Sequence, residues 1–172
     1  MYELKEHEKI TPAMFYTGDA LYHGNVVTTK IVRVNIWLQS DSAPKYIHLL
    51  DAQQIPFGSN MPSLKYDEIF FPAAQVIAYH VAQNVEIELD YAENEPNRRM
   101  VQTRIVSPSL LTLQGESRIS TQTDFGTTLE VGRSSWLSLY NATISTPKLP
   151  KMRVQAEMLL LRPEFFSFSI ED

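Results

Sequence analysis

Laid side by side, the two halves of this chain place Tyr46-Ile-His-Leu-Leu-Asp-Ala52 opposite Trp136-Leu-Ser-Leu-Tyr-Asn-Ala142. Leu49/Leu139 and Ala52/Ala142 are identical, and Tyr46/Trp136, Ile47/Leu137 and Asp51/Asn141 are chemically close. Upstream, Gly24 matches Gly115, Leu38 matches Leu129 and Val34 falls opposite Phe125. Downstream, the apolar positions of 68–81 coincide with those of 157–170. Order and spacing agree across three separate blocks. The self-similarity therefore predicts two tandem copies of one small unit, each too short to be a large domain.

The local patterns are those of strands. Val26, Val27, Ile31, Val32 and Val34 make the early stretch β-branched. Lys45–Ile55 alternates, with Ile47 and Leu49 on one face and Tyr46, His48 and Leu50 on the other. Tyr66–Phe71 and Val76–Val81 read as one interrupted strand or two short ones, with Pro72 at the interruption. Asn84–Tyr91 alternates apolar and acidic residues, Glu93–Asn97 has turn chemistry, and Arg98–Val106 alternates again, so 84–106 reads as a hairpin. Pro56–Pro62, with Gly58, Ser59 and Asn60, reads as a loop. Arg33–Ser40 places Val34, Trp37 and Leu38 at helical spacing and reads as a short helix, although its β-branched content also suits a strand; 124–131 raises the same ambiguity. The expected fold class is mainly β, a β-rich α+β chain of two internally duplicated modules, each with at most one short helix. The expected organisation is an N-terminal arm at 1–13, broken at Pro12, a first module at 14–91, a turn at 92–97 and a second module at 98–172.

Composition sets limits on function. The 172 residues contain no cysteine, which excludes thiol catalysis, disulfides and cysteine-held metals. The formal net charge is -5, and all of it lies in residues 1–90; residues 91–172 balance. An acidic chain is a poor general binder of phosphate backbones, so nucleic acid is an unfavoured partner. The one local exception is a candidate basic patch of Arg98, Arg99, Arg104 and Arg118, for which a solvated strand face is the favoured reading. Residues 1–9 hold no apolar core of a secretory signal, and no run reaches the roughly 20 apolar residues of a membrane helix. A cytoplasmic protein without membrane insertion is expected.

No phosphate-binding glycine loop, nucleophile elbow or paired-histidine metal motif occurs. No cofactor, metal or catalytic residue is assigned. His23, His48 and His80 fall in expected strands, and Asp51 lies near His48; a three-histidine metal site or a His–Asp pair is the sharp reading, satisfied polar positions the bland one. The aromatic inventory points further. With Tyr46, Trp136 and Tyr140 on one face and Leu137 and Leu139 on the other, the repeated strand is apolar on both sides. One side fills a core; the other must meet the sister module, another subunit or a ligand. Tyr46, His48, Leu50, Trp136 and Tyr140 are thus the candidate interaction residues.

Gly24, the run Arg33-Val34-Asn35-Ile36-Trp37-Leu38 and Tyr46–Ala52 together resemble a small, uncharacterised bacterial domain family. That family carries an Arg-Val-Ser-Asp-x-Leu-Asn signature followed by a Phe-x-x-Leu-x-Asp-Ala strand. Here Asn35-Ile36 replace Ser-Asp and Gln39 replaces the final Asn, and Asp124 stands where the second copy would repeat Arg33. The resemblance implies a β-rich domain and brings no activity. The same strand is faintly similar to Sm-like barrels. The function expected is non-enzymatic interaction or assembly, as a homo-oligomer or a subunit of a larger bacterial complex. A nucleic-acid or small-ligand binding module of Sm-like kind is the alternative.

Overall fold

The computed structural model describes residues 2–40, 43–58, 61–92, 94–132 and 134–171. Ser59 and Asn60 of the expected loop and Glu93 of the expected turn lie outside the described residues. The chain divides into two compact units, Met1–Val85 and Glu86–Asp172. Unit 1 contains β1 (Glu8–Tyr16), β2 (Ala20–Thr29), α1 (Val34–Gln39), β3 (Tyr46–Pro56), β4 (Leu64–Pro72), a 3-10 turn (Ala73–Gln75) and β5 (Ala78–Val81). Unit 2 contains β6 (Arg98–Val106), β7 (Thr112–Ser120), α2 (Phe125–Val131), β8 (Leu137–Ser145), β9 (Arg153–Leu161), a 3-10 turn (Pro163–Phe165) and β10 (Ser167–Ile170). The protein is mainly β, and its strand pairs are antiparallel. Within unit 1 the strand order is β5-β1-β2-β3-β4, and within unit 2 it is β10-β6-β7-β8-β9. The element order of the two units is the same, and in each the last strand returns to pair with the first. No helix among the described residues is long and apolar enough to cross a membrane.

The residues that repeat in the sequence build the same bend twice. Between His23 and Asn25 the β2–β3 register slips by one residue, and between Gln114 and Glu116 the β7–β8 register does the same. The extra residue takes up its slack at Asp51 (φ 49°) in β3 and at Asn141 (φ 50°) in β8. Asp and Asn tolerate the left-handed region better than other residues carrying a Cβ. The bulge presses β3 onto Gly24 and β8 onto Gly115. A Cβ at Gly24 would lie 3.0 Å from Ala52 Cα and from Leu50 O; at Gly115 it would lie 2.6 Å from Tyr140 O. Glycine is needed at both for space, and alanine follows each bulge for the same reason. The turn after the first strand is also closed alike. Thr17 Oγ1 accepts from the Ala20 amide and Ser107 Oγ from the Leu111 amide, both at 3.1 Å.

Each unit buries its own apolar residues. Phe15, Tyr16, Ile47 and Leu49 are enclosed in unit 1, and Ile105, Leu113, Leu139, Ile144 and Leu159 in unit 2. The short helices contribute one side each: Val34 and Leu38 from α1, Phe125 from α2. Asp124 caps α2 by accepting from the Thr127 amide at 2.7 Å, which resolves the ambiguity of 124–131 in favour of helix.

Three expectations are corrected. The arm expected at 1–13 is strand from Glu8 onward, and Pro12 does not interrupt it. The pairing of β1 with β5 begins only at Ala13, so Pro12, which has no N–H to give, stands just past the end of that ladder. The hairpin expected over 84–106 is absent, since β6 pairs with β7 and residues 84–91 belong to no strand. Their alternation is nevertheless real: Ile87, Leu89 and Tyr91 are half-buried while Glu86, Glu88 and Asp90 are exposed. The stretch is extended chain held by side chains rather than by a ladder. The units accordingly divide between Val85 and Glu86, ahead of the turn at 92–97.

Candidate interaction face

The alternation read from Lys45–Ile55 puts Ile47 and Leu49 into the core and turns Tyr46, His48 and Leu50 outward. Opposite them on β4 stand Pro72, Phe70 and Glu68 respectively. His48 stacks on Phe70 with ring centroids 4.2 Å apart and planes 16° from parallel. Tyr2 meets the same imidazole edge-on at 4.8 Å. Tyr2 is itself held, its hydroxyl donating to Glu8 Oε2 at 2.8 Å. That hydrogen bond to a carboxylate raises the Tyr2 phenol above its ordinary value. The Lys5 amide, donating to the same oxygen at 3.0 Å, holds Glu8 below the usual carboxylate range. His48 Nε2 lies 2.9 Å from Glu68 Oε1, close enough for an ion pair when the imidazole is protonated, though without hydrogen-bond alignment. Two aromatic side chains on this face remain open to solvent: Tyr46 and Phe70 are each 58% exposed.

The matching face of unit 2 is closed. Trp136, which immediately precedes β8, and Tyr140 are each only 6% exposed. Asp90 accepts hydrogen bonds from Ser138 Oγ and from the Tyr140 hydroxyl. Tyr91 meets the Tyr140 ring edge-on at 4.9 Å, and Arg118 lies over Tyr91 at 4.5 Å. Arg118 Nη1 in turn donates to Glu95 at 2.7 Å. Burial first, and the Asp90 carboxylate second, push the Tyr140 phenol far above its ordinary value. Arg162 covers Trp136 at 4.9 Å. The segment before β6 is thus a strap laid on the outer face of unit 2, as Tyr2 before β1 is laid on that of unit 1. Of the three aromatic residues singled out in sequence, the structure leaves only Tyr46 accessible. Phe70 and the straps escaped sequence reading. Phe70 sits beside Phe71 in one apolar run, and nothing in that run says which ring faces out.

The other candidates do not converge. His23 Nε2 contacts Gln53 Oε1 at 2.9 Å. His80 is buried between the Tyr16 hydroxyl at 3.0 Å from Nε2 and the Val81 carbonyl at 2.7 Å from Nδ1. A carbonyl only accepts, so Nδ1 carries the proton and Nε2 accepts from Tyr16. Burial pushes the His80 pKa down, and the Val81 contact opposes it in part. Among the described residues no group of three or more His, Asp or Glu side chains is arranged to hold a metal.

The arginines are divided as well. Arg98 and Arg104 share a face of β6 with Arg118 across from Met100, while Arg99 points to the other face. Arg98 and Arg118 both bond Glu95, whose carboxyl they hold below its ordinary range. Arg99 instead stands at the rim of a cleft of about 430 Å³ with Val101, Ile119, Asp124, Phe125 and Ile170. Asp124 there is committed to its helix cap.

Comparison with protein-family models, with curated proteins and with solved structures finds no match to this chain.

Proposed function

We propose that this chain is a non-enzymatic interaction protein that assembles through the outer face of β3 and β4 in unit 1, with itself or as a subunit of a larger complex. One observation carries the reading. Tyr46 and Phe70 are each 58% exposed, on a face whose unit 2 counterparts, Trp136 and Leu160, are buried. Exposed aromatic side chains held in place by neighbours are the usual anchors of protein interfaces, because they bury much area at little entropic cost. His48, stacked on Phe70 and braced by Tyr2, is such a neighbour. The test is sedimentation of the double variant Tyr46→Ser with Phe70→Ser. It is expected to lose assembly while the chain stays folded by circular dichroism, since both side chains are more than half exposed in the single chain. Assembly unchanged in that variant would overturn the reading.

A second reading, small-ligand binding by unit 2, draws on the cleft beside Arg99. Its check is Arg99→Ala, which is expected to abolish binding of an anionic ligand there. The nucleic-acid version draws less support, because Arg98 and Arg118 share Glu95.

We also propose that the two units are copies of one ancestral unit. Their common strand order, the paired bulges at Gly24 and Gly115, and the closing hydroxyls of Thr17 and Ser107 support it.

A further inference from the structure

Strand β4 ends the strand order of unit 1, with β3 as its ladder partner on one side. It is nine residues long, Leu-Lys-Tyr-Asp-Glu-Ile-Phe-Phe-Pro. An open edge of that length offers a row of backbone donors and acceptors to another strand, and proteins commonly guard such edges with charge. The charges on β4 are of both signs. Lys65 and Asp67 are two residues apart and therefore share a face.

We propose that β4 pairs antiparallel with β4 of a second copy of this chain, with Tyr66 on the two-fold axis; this rests on the assembly reading above and names its partner. A two-fold axis perpendicular to the sheet keeps every side chain on its own face. Only residues separated by an even number of positions can then lie opposite one another. Of the registers that remain on β4, one alone sets opposite charges against each other. With Tyr66 on the axis, Lys65 of each copy faces Asp67 of the other, giving two ion pairs. With Lys65, Asp67 or Glu68 on the axis, like charges meet head-on. With Ile69 on the axis, Glu68 faces Phe70 and Asp67 faces Phe71, which would strand carboxylates against rings.

The register chosen by charge sets Glu68 opposite Leu64, where the exposed carboxylate stays in solvent, and places the larger exposed apolar side chains at the ends of the ladder. It spans Ser63 to Ile69 and sets Phe70 of one copy opposite Pro62 of the other, diagonal to Leu64. Phe70, Leu64 and the neighbouring Met61 are all exposed in the single chain. Pro62 has no N–H to donate, so it suits the end of the new ladder.

The experiment is sedimentation velocity of the full chain and of four variants, three of charge and the fourth Tyr46→Ser with Phe70→Ser, with circular dichroism to confirm folding. The wild type is expected to approach twice the 19.7 kDa of one chain as concentration rises. Lys65→Asp and Asp67→Lys, each alone, set like charges opposite and are expected to weaken the dimer by about tenfold or more. Combined in one chain, the two substitutions exchange the charges and are expected to restore it. A double variant no tighter than the singles overturns the register. A wild type that stays monomeric at high micromolar concentration overturns the second copy as partner. If that monomer still holds a stoichiometric protein partner through Tyr46 and Phe70, the assembly reading stands while this one falls. A dimer indifferent to the charge variants and lost in Tyr46→Ser with Phe70→Ser has the same meaning. A monomer with no partner removes both.

Discussion

At Gly115 the backbone of β8 comes so close that a single added carbon would sit 2.6 Å from Tyr140 O. The obstructing atom is backbone and cannot swing away. Gly115→Ala is therefore expected to cost about 1–3 kcal/mol, with Gly24→Ala costing less because its nearest contacts are at 3.0 Å. Urea titration of the two variants checks the order. The φ of Asp51 makes a different demand. Asp51→Asn should be nearly neutral, whereas Asp51→Val forces a β-branched residue into the left-handed region and should lose about 1–2 kcal/mol. This bulge is where sequence was most informative. Gly24/Gly115, Asp51/Asn141 and Ala52/Ala142 stood out in the sequence because close approach and backbone sign admit few residue types. His80 was visible as a polar strand position, but its burial against Tyr16 was not, since the partner is 64 residues away. Its pKa lies below the ordinary 6.5 because burial disfavours the charged ring. The unfolded chain therefore binds the proton more readily. The stability this group contributes is intact above about pH 6.5 and is lost as pH falls through the folded value. His80→Gln is expected to flatten that loss. Tyr16, raised by its own burial, stays neutral throughout, and Glu8, Glu95 and Asp124 are held below the ordinary carboxylate range by their hydrogen bonds.

Among the elements, the straps decide which faces stay open. The sequence 84–91 shows its alternation plainly and predicts a strand, although alternation reports only which side of an extended chain is wet. Whether a ladder forms depends on a partner elsewhere in the chain, and β6 takes β7 instead. The sequence places Trp136 and Tyr140 opposite a core face, but what covers them, Arg162 and the Asp90–Tyr91 strap, comes from distant positions. The strap is held by few groups. Tyr91→Ala removes the ring between Tyr140 and Arg118, and Asp90→Asn replaces a charged acceptor with a weaker one. Limited proteolysis with a glutamate-specific protease is expected to read the loosening: cleavage after Glu86 and Glu88 speeds up at least about tenfold in the double variant, while amide exchange in β8 hardly changes. Equal acceleration in β8 would mean that the strap is integral to the sheet rather than laid upon it.

For the whole molecule, the mainly β architecture was legible because strand periodicity and turn residues are local signals, whereas the division of the chain and the open face were not. Residues 86–91 belong to no strand, and the half-buried side chains among them could only be assigned to unit 2 once their contacts were seen. A fragment of 86–172 is accordingly expected to melt higher than one of 98–172, which lacks the strap; calorimetry of the two fragments reads the difference. The account as a whole turns on the aromatic face of unit 1. Native mass spectrometry of the protein purified gently from its own host tests it most directly. The expected result is a defined species heavier than one 19.7 kDa chain that reverts to the bare chain in Tyr46→Ser with Phe70→Ser. A wild-type protein that appears only as the bare monomer would contradict the account.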